Sequence, residues 1–179
     1  MRPRTALIAI AACLLAVPAS AGEAPPNPYA GQQTRPIKAL SEEDVSALRQ
    51  GAGMGLAKAA ELNGYPGPMH VLELGDRLGL SAEQRNQVGA IRERMSAAAR
   101  SIGETLIARE ASLDLLFAQG YITPERLAAE TSAIGEAQGQ LRAIHLAAHL
   151  ETRALLNAHQ LALYQQLRGY GGTHRHRHG

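Results

Sequence analysis

Two histidines four residues apart, His145 and His149, stand in the stretch LRAIHLAAHLETRALLNAHQ at 141–160. On an α-helix that spacing puts both imidazoles on one face, where they could share a single metal ion. The residues between them are Leu146, Ala147 and Ala148. The glutamate that serves as base in a zinc protease's His-Glu-x-x-His is therefore missing, which argues against hydrolysis. A tight site usually takes four ligands. His70 and Glu73, three apart and so also on one face, are the best candidates to complete it, with Met69 beside them. Relative to Leu141, the two later histidines are expected at the edge of an apolar stripe, shielded yet reachable. The rival reading is structural: polar boundary residues that hydrogen-bond across a helical hairpin. His174, His176 and His178, in HRHRHG, alternate with arginines after a glycine-rich break. Such a tail recruits metal weakly, or turns cationic below neutral pH.

The start of the chain reads as a targeting segment. Arg2 and Arg4 precede an apolar run from Ala6 to Val17, and Ala19-Ser20-Ala21 is a small-residue cleavage site. That is the layout of a signal peptide over 1–21, so the expected location is the periplasm. Ile10-Ala11-Ala12-Cys13 offers the alternative of lipoprotein anchoring through Cys13. Loss of 1–21 removes the single cysteine and leaves sixteen basic against sixteen acidic residues. No thiolate then remains, so the plausible ions are Zn, Ni, Co or Cu. A balanced charge in an exported chain also speaks against a nucleic-acid partner.

The rest of the chain reads as helix. It has one Phe and no Trp, with Ala, Leu, Glu and Arg prominent, a composition that favours helix over strand. Residues 22–40 carry four prolines without periodicity, the pattern of a mobile arm without fixed structure. Ser41 caps a short helix that glycines 51, 53 and 55 interrupt, and a second short helix is expected over Met54 to Leu62. Asn63 to Pro68 is a break, and Pro68 opens another helix towards Leu78. Ser81 starts a long helix that Gly120 ends, and Thr123-Pro124 starts a second. Leu127, Ile134, Leu141, Ala148 and Leu155 recur on the latter every seven residues, as in a coiled-coil seam. The expected fold is all-α: a long antiparallel helical hairpin with short flanking helices at its open end. Small core side chains suggest a homodimer as the means of burying enough area. The cluster GAGMGLAKAA at 51–60 lacks the Gly-Lys-Ser/Thr of a phosphate loop, and no nucleophile elbow occurs. Nothing here points to an enzyme, and no organic cofactor is implied.

Two pentapeptides share one form: Leu80-Ser81-Ala82-Glu83-Gln84 and Leu156-Asn157-Ala158-His159-Gln160. In each, a capping side chain precedes a glutamine three residues on, which suits a capping box. With the signal peptide and the helical hairpin, the pair resembles the Spy/CpxP-like family of periplasmic proteins, marked by a repeated Leu-Thr-x-x-Gln motif. That family merges with heavy-metal resistance proteins of the CnrX and ZraP kind. The resemblance spans 41–170, with Ser81 and Asn157 standing where threonine is usual. It implies a hairpin, often a dimer with a concave face, that acts in envelope stress. Its members are ATP-independent chaperones of unfolded clients or metal-binding sensors, some heard by a membrane-bound stress regulator. The usual N-terminal His-x-x-x-His is missing here. The sequence thus leads to a non-enzymatic heavy-metal sensor or resistance accessory centred on His145 and His149, with a periplasmic holdase as the alternative.

Overall fold

The computed structural model describes residues 27–170. The signal-peptide segment, Cys13, the first residues of the arm, and His174, His176 and His178 lie outside the described residues. Two units are distinguished, divided after Gly31. Of the first, residues 27–31 form a turn in which Asn27 Oδ1 accepts from the Tyr29 N–H at 3.0 Å.

In the second unit the regular structure is helical throughout, with no strand among the described residues. Six α-helices follow a short 3-10 turn at Gln32–Thr34: α1 Glu42–Gln50, α2 Lys58–Glu61, α3 Pro68–Glu73, α4 Ala82–Ala118, α5 Pro124–Ala154 and α6 Ala158–Leu167. The expected punctuation falls where the physics puts it. Ser41, Ser81 and Asn157 each accept from the N–H three residues on, and the residue there bonds back to the cap's own N–H. Gly51 (φ 68°) closes α1 in the left-handed region. Gly120 (φ 69°) turns the chain between α4 and α5. Thr123 caps α5 ahead of Pro124.

The two long helices pack antiparallel along a seam. At 37 residues α4 is about 55 Å long. From α5 the seam takes Ile134, Ala137, Leu141, His145, Ala148 and Thr152, spaced by threes and fours as one face of a helix in a long contact demands. The outer members of the expected heptad series lie less deep. Leu127, near the turn, remains 39% exposed, and Leu155 caps the helix.

Two apolar clusters divide the core along the hairpin. One holds Leu48, Ala99, Leu106, Ile107, Ile134, Ala137 and Leu141; the other Val71, Leu78, Leu80, Val88, Leu156 and Tyr164. The second closes the open end, where α3 and α6 meet. The first shows that the short helices do not all gather there. Helix α1 reaches the middle of α4, so close that a Cβ on Gly103 would stand 2.6 Å from the Leu48 carbonyl oxygen.

Three local expectations are corrected. The second part of the arm is held against the hairpin. Ile37 and Leu40 pack on the first cluster, and Lys38 Nζ pairs with Asp114 Oδ2 at 3.1 Å. Helix α2 is a single turn, because Met54 (φ 43°) and Gly55 (φ 77°) leave helical space ahead of it. Helix α3 stops at Glu73 instead of Leu78. At Gly75 the Arg85 guanidinium comes so near that a Cβ would be 2.5 Å from it.

Candidate functional site

The two pentapeptides are joined. Gln84 Nε2 donates to Gln160 Oε1 at 3.0 Å, and Gln160 Nε2 donates to Gln84 Oε1 at 3.1 Å. Each amide oxygen also accepts its own cap's N–H, from Ser81 and from Asn157, both at 3.0 Å. Each amide nitrogen reaches a backbone carbonyl beside the other motif, Leu155 at 2.8 Å and Leu78 at 3.4 Å. Leu80 and Leu156 are buried in the cluster beneath. The repeat is thus one clasp that ties the start of α4 to the start of α6. Its role in the fold is structural.

His145 and His149 lie on one face of α5 as expected, but at different depths. His145 is 3% exposed and belongs to the seam itself rather than its edge. The cause is the glycine-rich segment after α1. A Cβ on Gly53 would stand 3.9 Å from the His145 ring, so the backbone there roofs the imidazole. His145 Nε2 is buried without a hydrogen-bond partner. Burial, followed by the neighbouring His149, holds its pKa below the usual 6.5.

His149 is tied to the loop after α2. Its Nδ1 stands 2.7 Å from the Tyr65 carbonyl oxygen, which can only accept, so Nδ1 carries the proton. Its other edge abuts Gly67, where a Cβ would be 2.8 Å from Nε2. Glu61 Oε2 lies 3.8 Å from Nδ1.

Glu61 is the residue that sequence reasoning missed. Its Oε1 accepts from Tyr164 Oη at 2.6 Å and from Arg168 Nε at 3.3 Å. Its Oε2 accepts from the Gly67 N–H at 3.2 Å. One nearly buried carboxylate therefore joins α2, the loop to α3, and α6. Tyr164 is fully buried, and burial together with this bond pushes its phenol pKa far upward. Nothing local in the sequence links residues 103 positions apart.

The metal set expected from sequence is not assembled. His70 Nδ1 donates to Glu73 Oε2 at 2.9 Å on α3, on its own. Among the described residues no group of three or more His, Cys, Asp or Glu is arranged to hold an ion. His145 and His149 remain a pair, and His149 has committed one nitrogen to Tyr65. These residues do not fit a Zn, Ni, Co or Cu site of three or four ligands, and we assign none of them as a ligand.

A different surface stands out at the closed end of the hairpin. Leu115 (54% exposed), Phe117 (57%), Tyr121 (62%) and Leu127 (39%) surround the α4–α5 turn. Beside them a groove of about 490 Å³ is lined by Lys38, Glu110, Leu113, Asp114, Phe117 and Ala118. Burial raises the Glu110 carboxyl pKa there.

Comparison with known proteins adds no assignment: no protein-family model, curated protein or solved structure matches this chain.

Proposed function

We propose that this chain is an exported, non-enzymatic holdase of the Spy/CpxP-like kind, covering apolar stretches of unfolded polypeptides with the closed end of its hairpin. The observation that carries the reading is the gathering of Leu115, Phe117, Tyr121 and Leu127 around the α4–α5 turn, all exposed. Exposed apolar residues are ordinary one at a time, but four large ones around a single turn suit contact with apolar polypeptide. The chain's only Phe sits there while the buried members of the first cluster are Leu, Ile and Ala. Tyr121 adds a ring with a polar tip, suited to contacts that form and dissolve in water. No helix among the described residues is long and apolar enough to cross a membrane. The sensor reading has no assembled ligand set behind it among the described residues.

The test is light scattering of a reduced, aggregating client protein with and without the chain. A Phe117→Ser/Tyr121→Ser variant should lose most of the suppression while its melting temperature stays unchanged. Suppression that survives both substitutions would remove the closed end from the reading. Light-scattering mass across concentration separates a third outcome. If the variant converts a dimer to a monomer and leaves client suppression intact, the patch is a subunit interface.

A further inference from the structure

We propose that residues 51–67 form an acid-released cover over α5, held shut while His145 is neutral. The inference does not depend on the holdase reading, since it concerns an opening of the fold and not what binds afterwards.

The cover is a segment with its own hinges. Gly51 (φ 68°), Met54 (φ 43°), Gly55 (φ 77°) and Gly64 (φ 83°) all hold the left-handed region. Between them lies only the single turn α2. Its apolar anchors are Leu56 against the first cluster, with Ala60 and Pro66 buried. The remaining fastenings are polar and come from two helices. From α5, His149 Nδ1 donates to the Tyr65 carbonyl at 2.7 Å, Arg153 donates to Gly64 O at 3.5 Å, and the Arg153 guanidinium sits 4.6 Å over the Tyr65 ring. From α6 and its C-cap, Tyr164 and Arg168 hold Glu61.

His145 lies under this roof with nothing to receive a second N–H. Its Nε2 is buried and unpartnered. Protonation would place a charged ring in the seam, beneath Gly53 and one helical turn from His149. The charged groups around it offer no relief. Glu61 on α2 is already shared by Tyr164 and Arg168. On α4, Arg94 is engaged by Glu151 and Arg100 by Ser96. Lys58, in the cover, and Arg153, on α5, add positive charge only. A proton on His145 is therefore accommodated by admitting water, and the hinged cover, whose one helix is a single turn, is what can move.

The sign follows from linkage. With the cover closed, burial disfavours the imidazolium; with it open, the ring titrates near the ordinary value of 6.5. Closure is therefore fully favoured above that pH, and the open fraction grows by up to about tenfold per pH unit below it.

Hydrogen exchange of the full chain, corrected for the intrinsic pH dependence of exchange, reads this directly. Between pH 7.5 and 5.0, amides of 51–67 should lose about tenfold or more of their protection, while the α4–α5 seam near Leu106 and Ile134 keeps its own. In His145→Gln, which retains bulk but cannot gain charge, the loss should vanish. Equal protection at both pH values in the wild type, or the same loss in the variant, overturns the proposal. An imidazole NMR titration of the wild type supplies a readout independent of the variant's folding. Protection must fall where the ring in the open state titrates; a loss confined to a pH at which His145 stays neutral in both states overturns it.

Discussion

Gln84 and Gln160, 76 residues apart in sequence, bond to each other in both directions, each amide donating to the other's oxygen at 3.0–3.1 Å. This explains why both motifs end in glutamine. A capping box by itself works equally with glutamate, whose carboxylate can accept the cap's N–H. The clasp cannot. Each side chain must accept from its own cap and donate across to the other motif, and only an amide does both.

Gln84→Glu should therefore destabilise the fold although it preserves the cap. The carboxylate would face Gln160 Oε1 and the Leu155 carbonyl with no donor to offer either. A loss of about 1–3 kcal/mol is expected from the groups left unpaired. Urea denaturation measures it, and a change under about 0.5 kcal/mol, the range of ordinary surface substitutions, would show the clasp to be idle.

The two glutamines should also fail to act independently. In a cycle of Gln84→Ala, Gln160→Ala and the double variant, the combined loss should fall short of the summed losses by at least about 0.5 kcal/mol. Independent sites would add within error and disprove the reciprocal geometry.

Helix glycines should respond in opposite directions. A Cβ at Gly103 meets the Leu48 carbonyl oxygen at 2.6 Å, a backbone atom that cannot swing aside. Gly103→Ala should thus force α1 off α4, at a cost of about 1–3 kcal/mol. Gly89 and Gly139, also within long helices, have nothing within 4 Å. Alanine at either should stabilise by about 0.5–1 kcal/mol through helix propensity alone. Thermal melts of the three variants decide it, and a common sign would contradict the packing.

Much of this fold is legible in the sequence because its signals are local. Ser81, Gly120, Thr123 with Pro124, and the heptad from Ile134 to Ala148 fix where the long helices start, stop and face. The capping boxes are equally plain. What escapes is whatever depends on partners distant in sequence. His145 and His149 share a face, as their spacing requires, but spacing cannot reveal that the Gly53 segment roofs one of them. Nor does it reveal that Tyr65 claims a nitrogen of the other. Glu61 reads as an ordinary surface charge until Tyr164 and Arg168 are brought to it. The expected metal set paired His70 and Glu73 with the later histidines by chemistry alone, and the fold keeps them as a separate exposed pair.

Acid should unfold the protein in two stages that separate by residue. The first begins below about pH 6.5, as buried His145 resists protonation: its pKa is lowered in the fold, so the unfolded chain takes the proton first and stability falls with pH. The second begins near the ordinary carboxylate range. Asp44 is held below its usual 3.8 by the Ser41 backbone and hydroxyl hydrogen bonds. Stability that it supplies is therefore present above pH 3.8 and lost below it. His145→Gln should flatten the first limb and leave the second. Asp44→Asn, which can still accept from Ser41 but cannot titrate, should flatten the second and leave the first. Urea midpoints measured from pH 8 to 3 for the three chains test the assignment, because a single limb unaffected by either substitution would place the titrating group elsewhere.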